Sequence, residues 1–155
     1  MLQKGTKQIA QNRKARHDYH IIETFEAGIS LAGTEVKSLR AGTVNMKDSY
    51  CAVKDGELFV IGLHISPYEK GNLFNRDPLR QRKLLMHKRE IMRLYGNIKR
   101  DGYALIPLSL YFKDSRVKVE LALAKGKKLH DKRDAAAERD AKRSMDRTMK
   151  DSKYQ

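Results

Sequence analysis

His17 and His20 stand three residues apart, the spacing of a pair of zinc ligands. The stretch around them reads as the start of a strand, where residues three apart face opposite sides. With no further His or Cys close by, a zinc site would lack its other ligands. Asp48 and Ser49 invite hydrolytic chemistry, yet no nucleophile motif or supported base accompanies them. His64 and His87 are isolated in sequence and read as structural histidines. No Gly-rich loop followed by Lys-Ser/Thr is present to cradle a nucleotide phosphate. The expectation is therefore no catalytic residue, no metal and no cofactor. The chain reads as a non-enzyme.

Cations carry the remaining chemistry. Lys and Arg number 33 against 19 Asp and Glu, a formal charge of +14 with a pI near 9.9. Three groups stand out. Asn12 to His20 mixes Arg13, Lys14, Arg16 and His17 with Tyr19, which could stack on an unpaired base. Arg80, Arg82, Lys83, Lys88 and Arg89 form the second group. Lys125, Lys127, Lys128, Lys132 and Arg133 flank His130 in the third. Each alone is commonly a solvated face, but together they favour a polyanion, and RNA or DNA is the natural one. No run of about 18 apolar residues exists to span a membrane, and no strongly apolar face is offered to a lipid surface. No secretory leader is visible at the start. The single Cys51 reads as a small core residue in a reduced, cytoplasmic setting.

These groups need a scaffold. Residues 1–18 read as a basic N-terminal arm. Tyr19, Ile21, Phe25, Ala27, Ile29 and Leu31 then fall on odd positions against polar His20, Thr24, Glu26 and Ser30, a half-buried strand with Gly28 as its bend or bulge. Residues 34–40 predict a short helix closed by Gly42. Strands follow at 49–54 and 57–65 about an Asp55-Gly56 hairpin. A loop over 68–76 leads to Asp77-Pro78, which predicts a helix start. That helix carries Leu84, Leu85, Ile91, Met92, Tyr95 and Ile98 on one side, bears Arg82 and Lys88 on the other, and ends at Asp101-Gly102. Residues 103–112 and 116–124 predict a second hairpin around Lys113-Asp114-Ser115. Short hairpin-linked strands with inserted helices predict a mainly β fold, an OB-like closed barrel of five or six strands over 19–124. An open α+β sheet is the alternative, because periodicity does not reveal closure.

The last stretch, 125–155, reads as a basic C-terminal tail. Ala137, Ala141, Met145 and Met149 recur every four residues, but this stripe is thin and an isolated helix of that length is marginal in water. The expectation is a segment disordered alone that folds on a partner.

Particular residues resemble a known family. Asn12-Arg13-Lys14-Ala15-Arg16-His17-Asp18-Tyr19, Phe25-Glu26-Ala27-Gly28-Ile29, and Gly33 through Gly42 resemble SmpB, the SsrA-binding proteins. So do Asp48-Ser49-Tyr50, Arg82-Lys83-Leu84-Leu85, Lys88-Arg89-Glu90-Ile91, Leu108-Ser109-Leu110-Tyr111, and Ala124-Lys125-Gly126-Lys127-Lys128 leading into His130-Asp131-Lys132-Arg133. The resemblance runs along essentially the whole chain. It implies an OB-fold body that grips the tRNA-like domain of transfer-messenger RNA (SsrA RNA) and brings it to stalled ribosomes for trans-translation. It further implies that the tail enters the empty mRNA path and decoding site and becomes helical there.

The RNA-binding residues so implied are Glu26, Leu85 and His87, the last where some members carry Asn. Added to these from the basic groups are Asn12, Arg13, Lys14, Arg16, His17, His20 and Lys88. The ribosome-binding residues expected are Lys127, Lys128, His130, Asp131, Lys132 and Arg133. Elongation factor Tu and alanyl-tRNA synthetase are implied as partners acting through the RNA. A ribosomal or other translation protein, or an RNA-processing enzyme, would share the charge and fold but not this run of motifs.

Overall fold

The computed structural model describes residues 5–70 and 75–127. In chain order the elements are β1 (Thr6–Gln11), α1 (Arg13–Asp18), β2 (Tyr19–Ile29), α2 (Gly33–Arg40), β3 (Val44–Asn45), β4 (Tyr50–Lys54), β5 (Glu57–Ile61), β6 (His64–Ile65), β7 (Arg82–Leu85), α3 (Lys88–Asp101), β8 (Ala104–Lys113) and β9 (Arg116–Gly126).

Strand pairing answers the question that periodicity left open. The main sheet runs β1-β8-β4-β5-β7-β2-β9, and β9 pairs back onto β8. Six strands therefore form a closed ring, and every pairing is antiparallel. The expected closure is met, and the open-sheet alternative falls. Only one registered pair, Cys51 with Leu105, joins β4 to β8. β1 takes the rest of that edge of β8, from Gln11 opposite Ser109 to Thr6 opposite Lys113.

The ring fills with the residues that alternation singles out. Leu58, Val60, Leu84, Leu105, Leu110, Val119, Leu121 and Leu123 form one buried cluster, closed by Ile91 and Leu94 of α3. Burying each such side chain contributes roughly 1.5–3 kcal/mol. Cys51 is part of the same core, as expected.

Two tight turns shape the ring. Asp55 and Gly56 both adopt positive φ, +51° and +77°, as a two-residue hairpin turn demands. The β8–β9 turn does the same without glycine: Asp114 and Ser115 lie at +49° and +69°. Lys113 is thus not a turn residue. It closes the ladder opposite Arg116.

Four expectations need correction. The basic arm at 1–18 is, from Thr6 onward, a strand and a helix of the body; β1 finds on β8 the backbone partners that a solvated arm would lack. The helix predicted from Asp77 begins at Lys88 instead. Asp77 stabilises a turn, its Oδ1 accepting from the Leu79 N–H at 2.9 Å. Residues 82–85 then alternate buried and exposed as a strand, so Leu84 points inward while Leu85 points out. The irregularity of β2 lies between Ile21 and Glu23, not at Gly28. Gly28 is instead the close-approach position, because a Cβ there would stand 3.3 Å from the Leu85 Cβ. Finally, β9 continues through Gly126, and the Lys127 N–H donates to the Asp18 carbonyl at 2.8 Å, so the body extends past 124.

Candidate RNA interface

The outer face of β8, β9, β2 and β7 carries acidic residues that charge alone cannot place on a polyanion-binding surface. Glu26 lies in β2 directly opposite Glu120 of β9. Like charges facing across a ladder repel, and each carboxylate here has its own partners. Oε2 of Glu26 accepts from the Tyr111 hydroxyl at 2.5 Å, while Lys113 Nζ stands 3.3 and 3.4 Å from its two oxygens. Glu120 accepts from Arg16 at 3.5 Å and from the Ser109 hydroxyl at 3.4 Å. The Tyr111 hydrogen bond, with help from Lys113 and Lys118, holds the Glu26 carboxyl below its ordinary pKa despite partial burial. Glu26 is therefore an ionised acceptor, its side chain still 41% exposed.

Along β2 the same strand carries His20, exposed, six residues from Glu26 and about 20 Å away at strand rise. On the other side of β2, Gly28 pairs with Leu85, which is 53% exposed. His87 and Lys88, also exposed, follow where β7 enters α3. Pairing of β2 with β7 sets Leu85 opposite Gly28, two positions from Glu26, whereas His20 lies at the far end of β2.

The α1 group divides. Arg13, Lys14 and Arg16 are exposed. Lys14 bonds Asp48 at 2.8 Å, which holds the ammonium pKa above its usual value and that of Asp48 below its own. His17 Nδ1 lies 3.0 Å from Asp18 Oδ1. His20 faces Lys125 across the β2–β9 ladder, so Lys125 and Lys127 join this end of the body.

Asn12 is a correction: it is 5% exposed, its Oδ1 caps α1 by accepting from the Ala15 N–H, and its Nδ2 donates to the Pro107 carbonyl. Its place is beneath the basic helix, not on it. Among the described residues no group of three or more His, Cys, Asp or Glu side chains could hold a metal ion.

The second basic group also loses a member. Arg82 was read as one cation of a helix face. It is 0% exposed and buried with Glu35, donating Nε to Oε2 at 2.6 Å and further N–H groups to the carbonyls of Leu63, Arg80 and Pro78. Arg80 completes the cluster from its rim, bonding both Glu35 oxygens. Lys83 pairs with Glu57.

Two residues were missed as site components. Tyr111 and Lys113 support Glu26 from 85 and 87 positions away, and the only trace of Tyr111 in the sequence was the Leu108-Ser109-Leu110-Tyr111 stretch, which named no role. Lys128, His130, Asp131, Lys132 and Arg133 lie outside the described residues, as does the expected helix over 134–150.

A closed ring of strands with an ordered acceptor on its outer face, cations at both ends of that face and no metal-ligand group among its described residues has the build of a polynucleotide-binding body. Comparison with known proteins agrees. The SmpB protein family matches residues 9–151. The SsrA-binding protein of Clostridium botulinum strain Hall is 62% identical over 152 residues, covering 97% of each chain. That of Acetivibrio thermocellus is 59% identical, covering 98% of this chain and 99% of its own. A solved chain from a structure described as "tmRNA-SmpB: a journey to the center of the bacterial ribosome" superposes with a TM-score of 0.67 at 52% identity, covering 82% of this chain and 93% of that one. The chain belongs to the SmpB family.

Proposed function

We propose that this chain binds the tRNA-like domain of transfer-messenger RNA and delivers it to stalled ribosomes for trans-translation, as a binding factor and not an enzyme. The observation that carries this is the match to SsrA-binding proteins over 97% of the chain, with a family match running to residue 151 and so through the basic tail. The described body supplies a fitting surface. Glu26 offers hydrogen-bond acceptance to base edges or a ribose hydroxyl, Leu85 gives an apolar contact beside it, and His87 and Lys88 flank both. Arg13, Lys14, Arg16, His17 and His20 meet the backbone and set the register. Asn12 serves this surface by holding α1 in place.

Lys127, Lys128, His130, Asp131, Lys132 and Arg133 begin a tail suited to the phosphates of ribosomal RNA in the empty mRNA path and decoding site, where it becomes helical. Elongation factor Tu and alanyl-tRNA synthetase act on the RNA that this chain holds. The setting is the cytoplasm. In support, no helix among the described residues is long and apolar enough to cross a membrane.

Because β9 runs through Gly126 and Lys127 is tied to Asp18, the test is truncation after Lys127. Affinity for isolated transfer-messenger RNA should stay within about twofold, about 0.4 kcal/mol, while peptide tagging on stalled ribosomes is lost. Parallel loss in both assays would place the tail in the RNA-capture site and overturn the division of labour.

A further inference from the structure

The tyrosine at the end of β8 lies across β9 to reach β2. Tyr111 is paired with Lys118, and Lys118 with Gly28, so the phenol must pass over one whole strand to meet Glu26. Two strand spacings are about 10 Å, a span that a long side chain lying along the sheet surface covers. Its hydroxyl reaches Glu26, and its 7% exposure shows that neighbours cover it there. A buried phenol needs a hydrogen-bond partner, and its hydroxyl donates to Oε2 of Glu26. Lys113 reaches both oxygens only at 3.3 and 3.4 Å. One carboxylate oxygen is therefore committed by a strong, directional bond, and the other, Oε1, has the longer Lys113 contact, on a side chain still 41% exposed.

We propose that Tyr111 is the positioning residue of the RNA site, its hydroxyl clamping Oε2 of Glu26 so that Oε1 is presented to a paired N–H or O–H donor of the RNA. This rests on the reading of Glu26 as an RNA contact. The advantage is entropic as well as geometric. An exposed glutamate has several rotamers to lose on binding, whereas a clamped one loses few, and pre-organisation appears directly as affinity for the RNA that presents matching donors. RNA that meets the protein through phosphates alone gains nothing from a clamped carboxylate. Tyr111 thereby separates cognate from random RNA without touching either.

The groups facing Glu26 are Tyr111 and Lys113 from β8 and Lys118 and Glu120 from β9. Loss of the Tyr111 hydroxyl leaves the two lysines in place but removes the main influence that holds the Glu26 carboxyl below its usual range.

The experiment uses the full chain with Tyr111→Phe, Glu26→Gln and the double variant. Affinity is measured for the tRNA-like domain and for an unrelated RNA of equal length, from about pH 4 to pH 8, a range spanning the ordinary carboxylate pKa. Tyr111→Phe should weaken cognate binding by about tenfold, the scale of one hydrogen bond to a charged group. It should leave random RNA unchanged, and the acid-side loss of cognate affinity should move to higher pH. The double variant should be no worse than Glu26→Gln alone.

If Glu26→Gln weakens cognate binding but Tyr111→Phe does not, the positioning role is wrong and the site survives. If neither variant matters, the Glu26 site itself falls. If Tyr111→Phe lowers thermal stability and weakens both RNAs equally with no change in the pH profile, its hydroxyl is structural only and the proposal is overturned.

Discussion

Glu35 and Arg82 lie 47 positions apart in sequence and meet at 2.6 Å inside the body, with almost no surface of either side chain left to solvent. Glu35 enters from α2, where it also accepts the Ala32 N–H at the helix start. Arg82 enters from β7 and gives three further N–H groups to carbonyls. The pair ties α2 to the strand that leads into His87 and Lys88. Burying two charges is costly, and it is tolerable only when donors and acceptors are saturated as they are here.

Glu35→Ala should therefore be far more damaging than loss of a surface ion pair. An uncompensated Arg82 would remain inside, at a cost of about 3–5 kcal/mol. Urea unfolding should show the loss, whereas Glu57→Ala, which breaks an exposed pair with Lys83, should change stability by under about 1 kcal/mol. Equal effects would mean that the buried pair contributes no more than the exposed one.

Stability should also fall in acid. Burial alone would raise the Glu35 carboxyl, but the bonds from Arg80, the Ala32 amide and Arg82 outweigh it and leave the pKa lowered. A carboxyl whose folded pKa lies below its unfolded value, about 4.3, contributes stability that is whole above that value and is lost as pH falls through the folded pKa. Urea midpoints measured downward from pH 6 should hold until about pH 4–5 and then decline. In Glu35→Gln that acid decline should be shallower. An unchanged slope would assign it to other carboxylates.

Removing an acid should strengthen RNA binding at the α1 end. Lys14 is paired with exposed Asp48 in the RNA-free chain, so Asp48→Asn should release it for a phosphate. Affinity should rise at low salt, and log Kd against log salt should steepen by up to about 0.9, one counterion's worth. Lys14→Ala should make the slope shallower by a similar amount. If neither variant alters the slope, the phosphate path avoids this face.

Cys51 offers a probe of the ring itself. Its thiol is fully enclosed, and burial pushes its pKa well above the ordinary thiol value. A thiol reagent at pH 8 should label it only on unfolding, with a rate that follows opening of the β4–β8 seam. Rapid labelling of the native chain would show that the single-pair seam at Leu105 does not stay closed.

What the sequence by itself determined is local. Alternation at Val117, Val119, Leu121 and Leu123 announced β9, and Asp55-Gly56 announced a hairpin, because side-chain period and turn geometry act within a few residues. Charge announced a polyanion, since a sum needs no coordinates. The run of resembling motifs added the RNA. Tertiary structure alone decided ring closure, because the β2–β9 and β4–β8 pairings use the same alternating pattern an open sheet would use. It alone turned residues 82–85 from helix to strand, since Arg82 had to reach Glu35 and a helix-like spacing of leucines carries no record of that partner. It buried Asn12 against the Pro107 carbonyl, drew β1 out of the expected arm, and set Tyr111 on Glu26. Each of these depends on partners about 50 to 100 positions apart meeting in space, as Asn12 and Pro107 do, and no window of sequence contains both.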